Sequence, residues 1–167
     1  EADIVVFVVD VETGINSMDS EISRLLHKSN KDVILAVNKV DNSKRQLDST
    51  EFHSLGFEKI FNFSAINGGG TGELLDSLVS LMPEDSVIEN DEIPGFAVVG
   101  RPNSGKSSFI NAMLGLSGED EGAAKVGLHE TTRVCREYKH PKYQSTLVDC
   151  PGVETISFQK SNYLEAI

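Results

Sequence analysis

The sequence GRPNSGKS, residues 100–107, combines the residue types needed to hold a phosphate chain. It follows an apolar run and precedes a stretch with helical spacing, which is the context typical of a phosphate-binding loop. Its glycines allow backbone N–H groups to curl around phosphate oxygens, and the following helix N-terminus adds partial positive charge. Lys106 would reach the β and γ phosphates, and Ser107 would bind Mg²⁺. The remaining predicted nucleotide contacts of this stretch are Asn103, Ser104, Gly105 and Ser108.

A second motif, DCPG at residues 149–152, follows the short run Thr146–Val148. A carboxylate at such a strand end can hold a water molecule of Mg²⁺, so Asp149 is predicted to contact the metal through water. The Gly152 N–H would reach the γ-phosphate. Alone this motif is weak, but it gains force from its position downstream of a phosphate loop.

Two adjacent threonines, Thr131 and Thr132, lie between these two motifs in a stretch rich in Gly and Glu. One of them would complete the Mg²⁺ shell and sense the γ-phosphate through its backbone, and Thr132 is the favoured choice. An exposed Thr pair in a loop is the alternative. The predicted catalytic residues are therefore Lys106, Thr132 and Gly152, and the predicted magnesium ligands are Ser107, Thr132 and Asp149.

A third motif, Asn38-Lys39-Val40-Asp41, is suited to reading guanine. A carboxylate accepts hydrogen bonds from the ring N–H and the exocyclic amine of guanine, and adenine offers no such pair. Asp41 would make this contact, Lys39 would cover the face of the base, and Asn38 would brace neighbouring loops. An Asn-Asp turn with a solvated lysine is the alternative. Further along, Ser64, Ala65 and Ile66 would approach the base, with the Ala65 N–H directed at its carbonyl oxygen.

Alternating strands and helices are predicted to position these motifs. Short, β-branched, apolar runs indicate strands covered on both faces, as in parallel sheets. They occur at Ile4–Val9, Val33–Val37, Ile60–Phe63, Phe96–Val99 and Thr146–Val148. Helical spacing indicates helices at Ser17–Ser29, Thr71–Met82 and Lys106–Leu114. A polar edge strand at Val134–Lys139 would form one antiparallel hairpin, so we expect a three-layer α/β domain.

Composition restricts the class of protein and its partners. The 167 residues suffice for one self-sufficient domain, and the longest apolar run is far too short to cross a bilayer. A net charge of −11 argues against a broad surface for nucleic acid or anionic lipid. The two cysteines, Cys135 and Cys150, indicate a reducing compartment. We therefore expect a cytoplasmic protein with no membrane or direct nucleic-acid partner, and with any polyanion confined to one pocket.

Together these motifs resemble the P-loop GTPase superfamily along the whole chain. The resemblance implies a three-layer P-loop NTPase (Ras-like) fold with about six strands, all parallel except one antiparallel edge strand. It also implies GTP or GDP as ligand and Mg²⁺ as cofactor. The motif order differs from an ordinary GTPase domain, because the base-reading motifs precede the phosphate loop.

The order suggests one circularly permuted GTPase domain over residues 1–167. Residues 1–82 would form the base-recognition half, 83–94 an acidic linker, and 95–167 the half that binds phosphate and Mg²⁺. The chain begins without Met and ends inside the helix expected after DCPG, so joining its ends would restore an uninterrupted domain. The competing interpretation is a window across two neighbouring GTPase domains, whose halves would pair only between chains. We expect a monomer, with an exchanged dimer as the alternative.

The resemblance divides between two families. Residues 1–115 resemble the tandem ribosome-assembly GTPases Der (EngA) in EADIVVFVVD, ILAVNKVDN and FAVVGRPNSGKSSFINAMLG. Residues 119–165 resemble the immunity-related GTPases in EDEGAAKVG, HETT and DCPGVET. A ribosome partner is implied only by the first of these. The mixture also makes an engineered or recombined chain an option.

The motifs predict slow GTP hydrolysis. Many GTPases orient the attacking water with a Gln near the position of Glu154, where a carboxylate would be repelled by the γ-phosphate. In the Der-like branch, an Asn at the position of Asn103 helps to hold a K⁺ ion, so faster turnover in K⁺ is expected. A nucleotide-binding module without catalysis and a folded scaffold without nucleotide are the alternative function classes.

Overall fold

A computed structural model of the chain describes residues 2–81, 95–126, 135–140 and 145–151. Within these ranges the fold is an α/β fold, in which one β-sheet carries helices on both faces. The expected acidic linker at 83–94, the Thr131–Thr132 pair, Gly152 and Glu154 lie outside the described residues.

Six strands form one sheet in the order β3-β2-β1-β4-β6-β5. Their bounds are Ile4–Asp10 (β1), Asp32–Asn38 (β2), Lys59–Asn62 (β3), Gly95–Val99 (β4), Arg136–Lys139 (β5) and Thr146–Asp149 (β6). All neighbours are parallel except β5, which pairs antiparallel with β6 at the edge. The predicted mostly parallel sheet with one antiparallel edge strand is confirmed.

In the described part of the chain, four α-helices accompany the strands: Ser17–Leu26 (α1), Ser43–Asp48 (α2), Thr71–Ser80 (α3) and Lys106–Leu114 (α4). A 3-10 helix, Ser49–Leu55, continues directly from α2. The predicted helices at α1, α3 and α4 are confirmed, although α1 ends at Leu26 rather than Ser29 and α3 at Ser80 rather than Met82. Helix α2 and the 3-10 helix were not predicted, and Ser43–Asp48 has no buried residue and therefore no apolar stripe.

The sheet separates two apolar layers, as the alternating Cβ directions of a strand require. One layer packs Val5, Phe7 and Val9 of β1 under α1 and the 3-10 helix. The other packs Ile4, Val6 and Val8 of the same strand under α3 and α4. Every residue of β1 is buried, because both faces of this central strand are covered.

The strand β1 joins the two parts of the sheet. It pairs in parallel with β2 on one side, from Ile4 opposite Asp32, and with β4 on the other, from Ile4 opposite Phe96. The base-reading motif follows β2 and the phosphate loop follows β4. Since parallel strands end at the same edge of a sheet, both motifs face one crevice.

Candidate functional site

The phosphate loop connects β4 to α4 and is ordered by its own backbone. Asn103 adopts a left-handed conformation with φ of 62°, and the Ser104 N–H donates to the Arg101 carbonyl at 3.4 Å. Lys106 is only 7% exposed, and its Nζ donates to the carbonyls of Gly100 at 3.2 Å and Arg101 at 3.0 Å. The lysine side chain therefore folds back over the loop and contacts its carbonyls, at the place where it is predicted to contact phosphate oxygens. Ser107 and Ser108 lie in the first turn of α4.

Two of the side chains predicted to bind magnesium lie in contact beside this loop. The Ser107 hydroxyl donates to Asp149 Oδ2 at 3.0 Å, and Asp149 is 1% exposed. Hydroxyl and carboxylate oxygens are ligands that Mg²⁺ accepts, with water completing its shell. The pair therefore fits a magnesium site. Within the described residues there is no cluster of three His, Cys, Asp or Glu side chains that could hold a metal without nucleotide.

Asn38 joins the base-reading motif to the phosphate loop. Its Nδ2 donates to the Ser104 carbonyl at 3.1 Å, and its Oδ1 accepts from the N–H groups of Lys39 at 2.7 Å and Ala65 at 3.1 Å. Asn38 is 3% exposed, so its amide is satisfied by protein and shielded from water. Gly105 makes this approach feasible, because a Cβ there would lie 2.1 Å from Asn38 Nδ2.

Lys39 is held by carboxylates from the end of β1. Its Nζ lies 2.8 Å from Asp10 Oδ2 and 2.9 Å from Glu12 Oε2, and its backbone φ is 67°. Burial lowers the pKa of Lys39, but hydrogen bonds to the two carboxylates outweigh burial and raise it above its ordinary value. The hydrogen bond and charge of Lys39 in turn lower the pKa of Glu12. The ammonium group therefore stays charged and oriented at the mouth of the crevice.

Asp41, the predicted guanine reader, is oriented by its neighbours. Its Oδ2 accepts from Arg45 Nη1 at 2.7 Å, and its Oδ1 accepts from Asn42 Nδ2 at 2.7 Å. Arg45 also binds Glu12, which links Asp41 to the carboxylates around Lys39. A carboxylate offers about four acceptor positions, so Asp41 retains capacity for two further donors.

Arg101 of the phosphate loop contacts the start of α1. Its Nε lies 3.5 Å from Asp19 Oδ1, and its Nη2 reaches Thr13 Oγ1. Asp19 is completely buried, and burial raises its pKa against the opposing charge of Arg101. The loop is thereby tied to α1 as well as to Asn38.

Two family models match this chain, and each covers half of it or more. The interferon-inducible GTPase (IIGP) model matches residues 72–167, and the elongation factor Tu GTP binding domain model matches residues 1–84. The chain belongs to the P-loop GTPases. The resemblance to the P-loop GTPases is thus confirmed. The two models overlap at residues 72–84, whereas the division predicted from the sequence lay at residues 115–119.

This GTPase chain is also similar to curated proteins named GTPase Der. It is 46% identical to Der of Christiangramia forsetii over 164 residues, which cover 97% of this chain and 37% of that protein. Der of Flavobacterium johnsoniae is 45% identical over 92% of this chain and 35% of its own length. Der of Bacteroides thetaiotaomicron is 40% identical over 97% and 36%. The chain therefore spans little more than a third of these relatives.

A solved structure shows the same fold. The crystal structure of YjeQ from Thermotoga maritima matches the GTPase chain with a TM-score of 0.60 and 23% identity. The match covers 91% of this chain and 48% of that one. It supports the arrangement of strands and helices of the GTPase and says nothing of its chemistry.

The other predicted nucleotide contacts of the GTPase differ in their burial and in their hydrogen-bond partners. Ser64 is 3% exposed, and its N–H donates to the Gly69 carbonyl at 2.8 Å, which closes the loop after β3. The Ala65 N–H, expected at the guanine carbonyl oxygen, donates to Asn38 instead. Ile66 is 91% exposed and contributes no fixed wall. Thr132 and Gly152 lie outside the described residues.

Several residues of this GTPase site were not singled out from the sequence. Asp10 and Glu12 hold Lys39, and Arg45 holds Asp41. A signal for Asp10 exists, because a carboxylate ends an otherwise apolar buried strand. In the part of the chain that the structure describes, no helix is long and apolar enough to cross a membrane.

Proposed function

We propose that this GTPase domain binds one guanine nucleotide with Mg²⁺ in the crevice at the carboxyl ends of β2 and β4, and hydrolyses GTP slowly to GDP and phosphate. The hydrogen bond between Asn38 Nδ2 and the Ser104 carbonyl carries the proposal. It brings the base-reading motif and the phosphate loop of one chain within contact, as a single nucleotide requires. The proteins named GTPase Der support the same activity by name.

In this proposal, the chain supplies charge and position rather than covalent chemistry. Lys106 exchanges its two carbonyl contacts for β and γ phosphate oxygens. Ser107 directly and Asp149 through water would hold Mg²⁺, which would neutralise charge on the phosphates when bound. Thr132 and the Gly152 N–H are proposed to reach the γ-phosphate.

We expect hydrolysis to be slow, because Val153 and Glu154 follow Gly152 where many GTPases carry a Gln. The left-handed Asn103 is proposed to hold K⁺ beside the phosphates, so phosphate release should be faster in potassium than in sodium salt. Equal rates in the two salts would count against this role.

The missing Gln also favours a second candidate function, a guanine-nucleotide-binding module without significant catalysis.

The experiment that tests the proposal is the substitution Asp41→Asn. An amide can no longer accept both guanine donors, but its NH₂ can donate to the second carbonyl of xanthine. We expect GDP affinity to fall about a hundredfold or more and xanthosine diphosphate affinity to rise. Fluorescent nucleotide titration measures both. Asp48→Asn removes an exposed carboxylate at the end of α2 and should leave GDP affinity unchanged. Unchanged GDP affinity in the Asp41 variant would overturn the assignment.

The proposed partners are limited to the nucleotide. The resemblance to tandem ribosome-assembly GTPases implies a ribosome for those longer proteins, and this chain spans little more than a third of them. We propose no membrane or nucleic-acid contact for this domain alone, and a cytoplasmic location.

A further inference from the structure

The only two cysteines of the chain lie side by side at the phosphate end of the site. Cys135 precedes β5 and Cys150 follows β6, and their Sγ atoms are 3.7 Å apart. Cys135 is exposed, whereas Cys150 is fully buried. From these observations we infer that Cys135 and Cys150 form a redox modification site, which a hydroperoxide converts into a disulfide within one chain.

The hairpin geometry suits this bond. In the antiparallel register of β5 and β6, Arg136 is opposite Asp149. Continuing the register by one residue places Cys135 directly opposite Cys150. Residues opposite each other in such ladders have Cα atoms about 4.5–5.5 Å apart. Disulfides require about 4.4–6.8 Å, so the bond needs rotation of the side chains and little backbone movement.

Exposure determines the order of steps. The Cys135 sulfur attacks the peroxide oxygen, which forms an S–O bond, breaks the O–O bond and releases water. The Cys150 sulfur then attacks the Cys135 sulfur, which forms the S–S bond, breaks the S–O bond and releases a second water. Two thiols and one hydrogen peroxide thus give one disulfide and two waters. Cys150 is buried, so its sulfur reaches Cys135 and no second chain.

The position of the pair gives the disulfide a consequence for the nucleotide site, which rests on the proposed function. Cys150 follows Asp149, whose carboxylate accepts from Ser107. Cys135 lies three positions after Thr132 along the chain. The bond would therefore fasten the segment that carries the threonines to the segment that carries the metal-binding carboxylate. We expect oxidation to slow GTP hydrolysis about fivefold or more, because the bond constrains the backbone next to Asp149, which the proposed function places at Mg²⁺.

The decisive experiment counts thiols in the whole chain before and after stoichiometric hydrogen peroxide. The wild-type chain should lose both thiols and two hydrogens of mass, remain monomeric on a non-reducing gel, and recover both thiols on reduction. Retention of the thiols, or a disulfide-linked dimer as the main product, would overturn the proposal. This readout requires no nucleotide, so it stays informative if the proposed GTPase activity fails.

Two variants separate the roles of the sulfurs. Cys150→Ala should stop at a sulfenic acid on Cys135, which a cyclic diketone reagent traps. Cys135→Ser changes an exposed residue and should leave Cys150 unoxidised over the same time. Rapid peroxide oxidation of Cys150 in that variant would contradict the order of steps. Hydrolysis in Cys135→Ser should be insensitive to peroxide, and a peroxide effect equal to wild type would exclude the disulfide as its cause.

Discussion

At the scale of single residues, the amide of Asn38 holds the motif proposed to read the base against the loop proposed to bind phosphate. All of its described hydrogen bonds go to backbone groups: Ser104, Ala65 and its own neighbour Lys39. A buried amide whose partner moves away leaves an unsatisfied polar group, which costs about 1–3 kcal/mol. Tight contact between the two loops is therefore favoured, and it depends on the small residue at position 105.

Gly105→Ala tests this contact. The added Cβ would lie 2.1 Å from Asn38 Nδ2, and the residue has φ of 94°. We expect a loss of about 2–4 kcal/mol in the free energy of unfolding or, if the loops separate, a loss of more than tenfold in guanine-nucleotide affinity. Urea unfolding and fluorescent nucleotide titration measure the two effects.

Gly115→Ala is the matched control for that substitution. Gly115 also has a positive φ, 69°, but nothing lies within 4 Å of its added Cβ. It should therefore show only the backbone cost of about 1–2 kcal/mol and normal nucleotide affinity. Similar behaviour of the two variants would show that the close approach of Asn38 has no energetic weight.

At the scale of elements, α1 begins at a capping box that also touches the phosphate loop. The Asn16 side chain accepts from the Asp19 N–H at 2.9 Å, and Asp19 Oδ2 accepts from the Asn16 N–H at 3.2 Å. The other oxygen of Asp19 faces Arg101. One buried carboxylate thus completes a helix N-terminus and fixes a loop on the neighbouring strand.

The titration of Asp19 should be visible in the pH dependence of stability. Burial raises the pKa of Asp19 above its ordinary value of 3.8, so the folded state binds this proton more tightly than the unfolded state. The contribution of this group to the free energy of unfolding is therefore greatest below pH 3.8 and falls as pH rises through the folded-state pKa. Asp19→Asn cannot titrate, so its stability relative to wild type should increase with pH over that window. Urea unfolding across the acidic range measures it, and a constant difference would contradict the prediction.

Elements with a one-sided apolar pattern were predictable from sequence, and those without it were not. The strand β1 and the helix α3 followed directly from buried runs and helical spacing. Helix α2 has no buried residue and is defined by the Asn42 cap, whose side chain accepts from the Arg45 N–H. The 3-10 helix buries Phe52 and Leu55, but the residues around them are mostly polar, so the segment shows no apolar stripe in the sequence.

For the proposed site, the position of the two motifs after buried strands was predictable, and the side chains that contact them were not. The phosphate loop and the guanine motif could be read from spacing, because their chemistry fixes consecutive positions. Asp10, Glu12 and Arg45 reach the motif from other elements, at distances along the chain that depend on the fold. Asp10 alone leaves a signal, as the carboxylate that ends a buried apolar strand, whereas the exposed Glu12 and the Arg45 of α2 leave none in one sequence.

At the scale of the whole molecule, β1 links the two functional halves through hydrogen bonds on both of its edges. The halves also match different family models, at residues 1–84 and 72–167. The match to GTPase Der, in contrast, runs through 164 residues in one alignment. The sequence left two arrangements of the site open. In the first, both halves of the site belong to one chain, and in the second, two chains exchange their halves.

We predict that one chain binds one guanine nucleotide as a monomer. The parallel pairing of β1 with β4 and the contact of Asn38 with the phosphate loop both occur within one chain, so a partner would have to replace buried contacts that already exist. Native mass measurement with GDP should give one protein chain and one nucleotide, unchanged across a hundredfold range of protein concentration.

Mixing two inactive variants distinguishes the exchanged arrangement. Asp41→Asn damages the base-recognition half, and Lys106→Ala damages the phosphate half. In an exchanged dimer, unfolding and refolding the two variants together would create some sites with neither substitution, and about a quarter of wild-type GDP binding would return if chains associate at random. In a monomer every site carries one substitution, so no binding should return. Recovery of binding would contradict the single-chain site and identify the exchanged dimer.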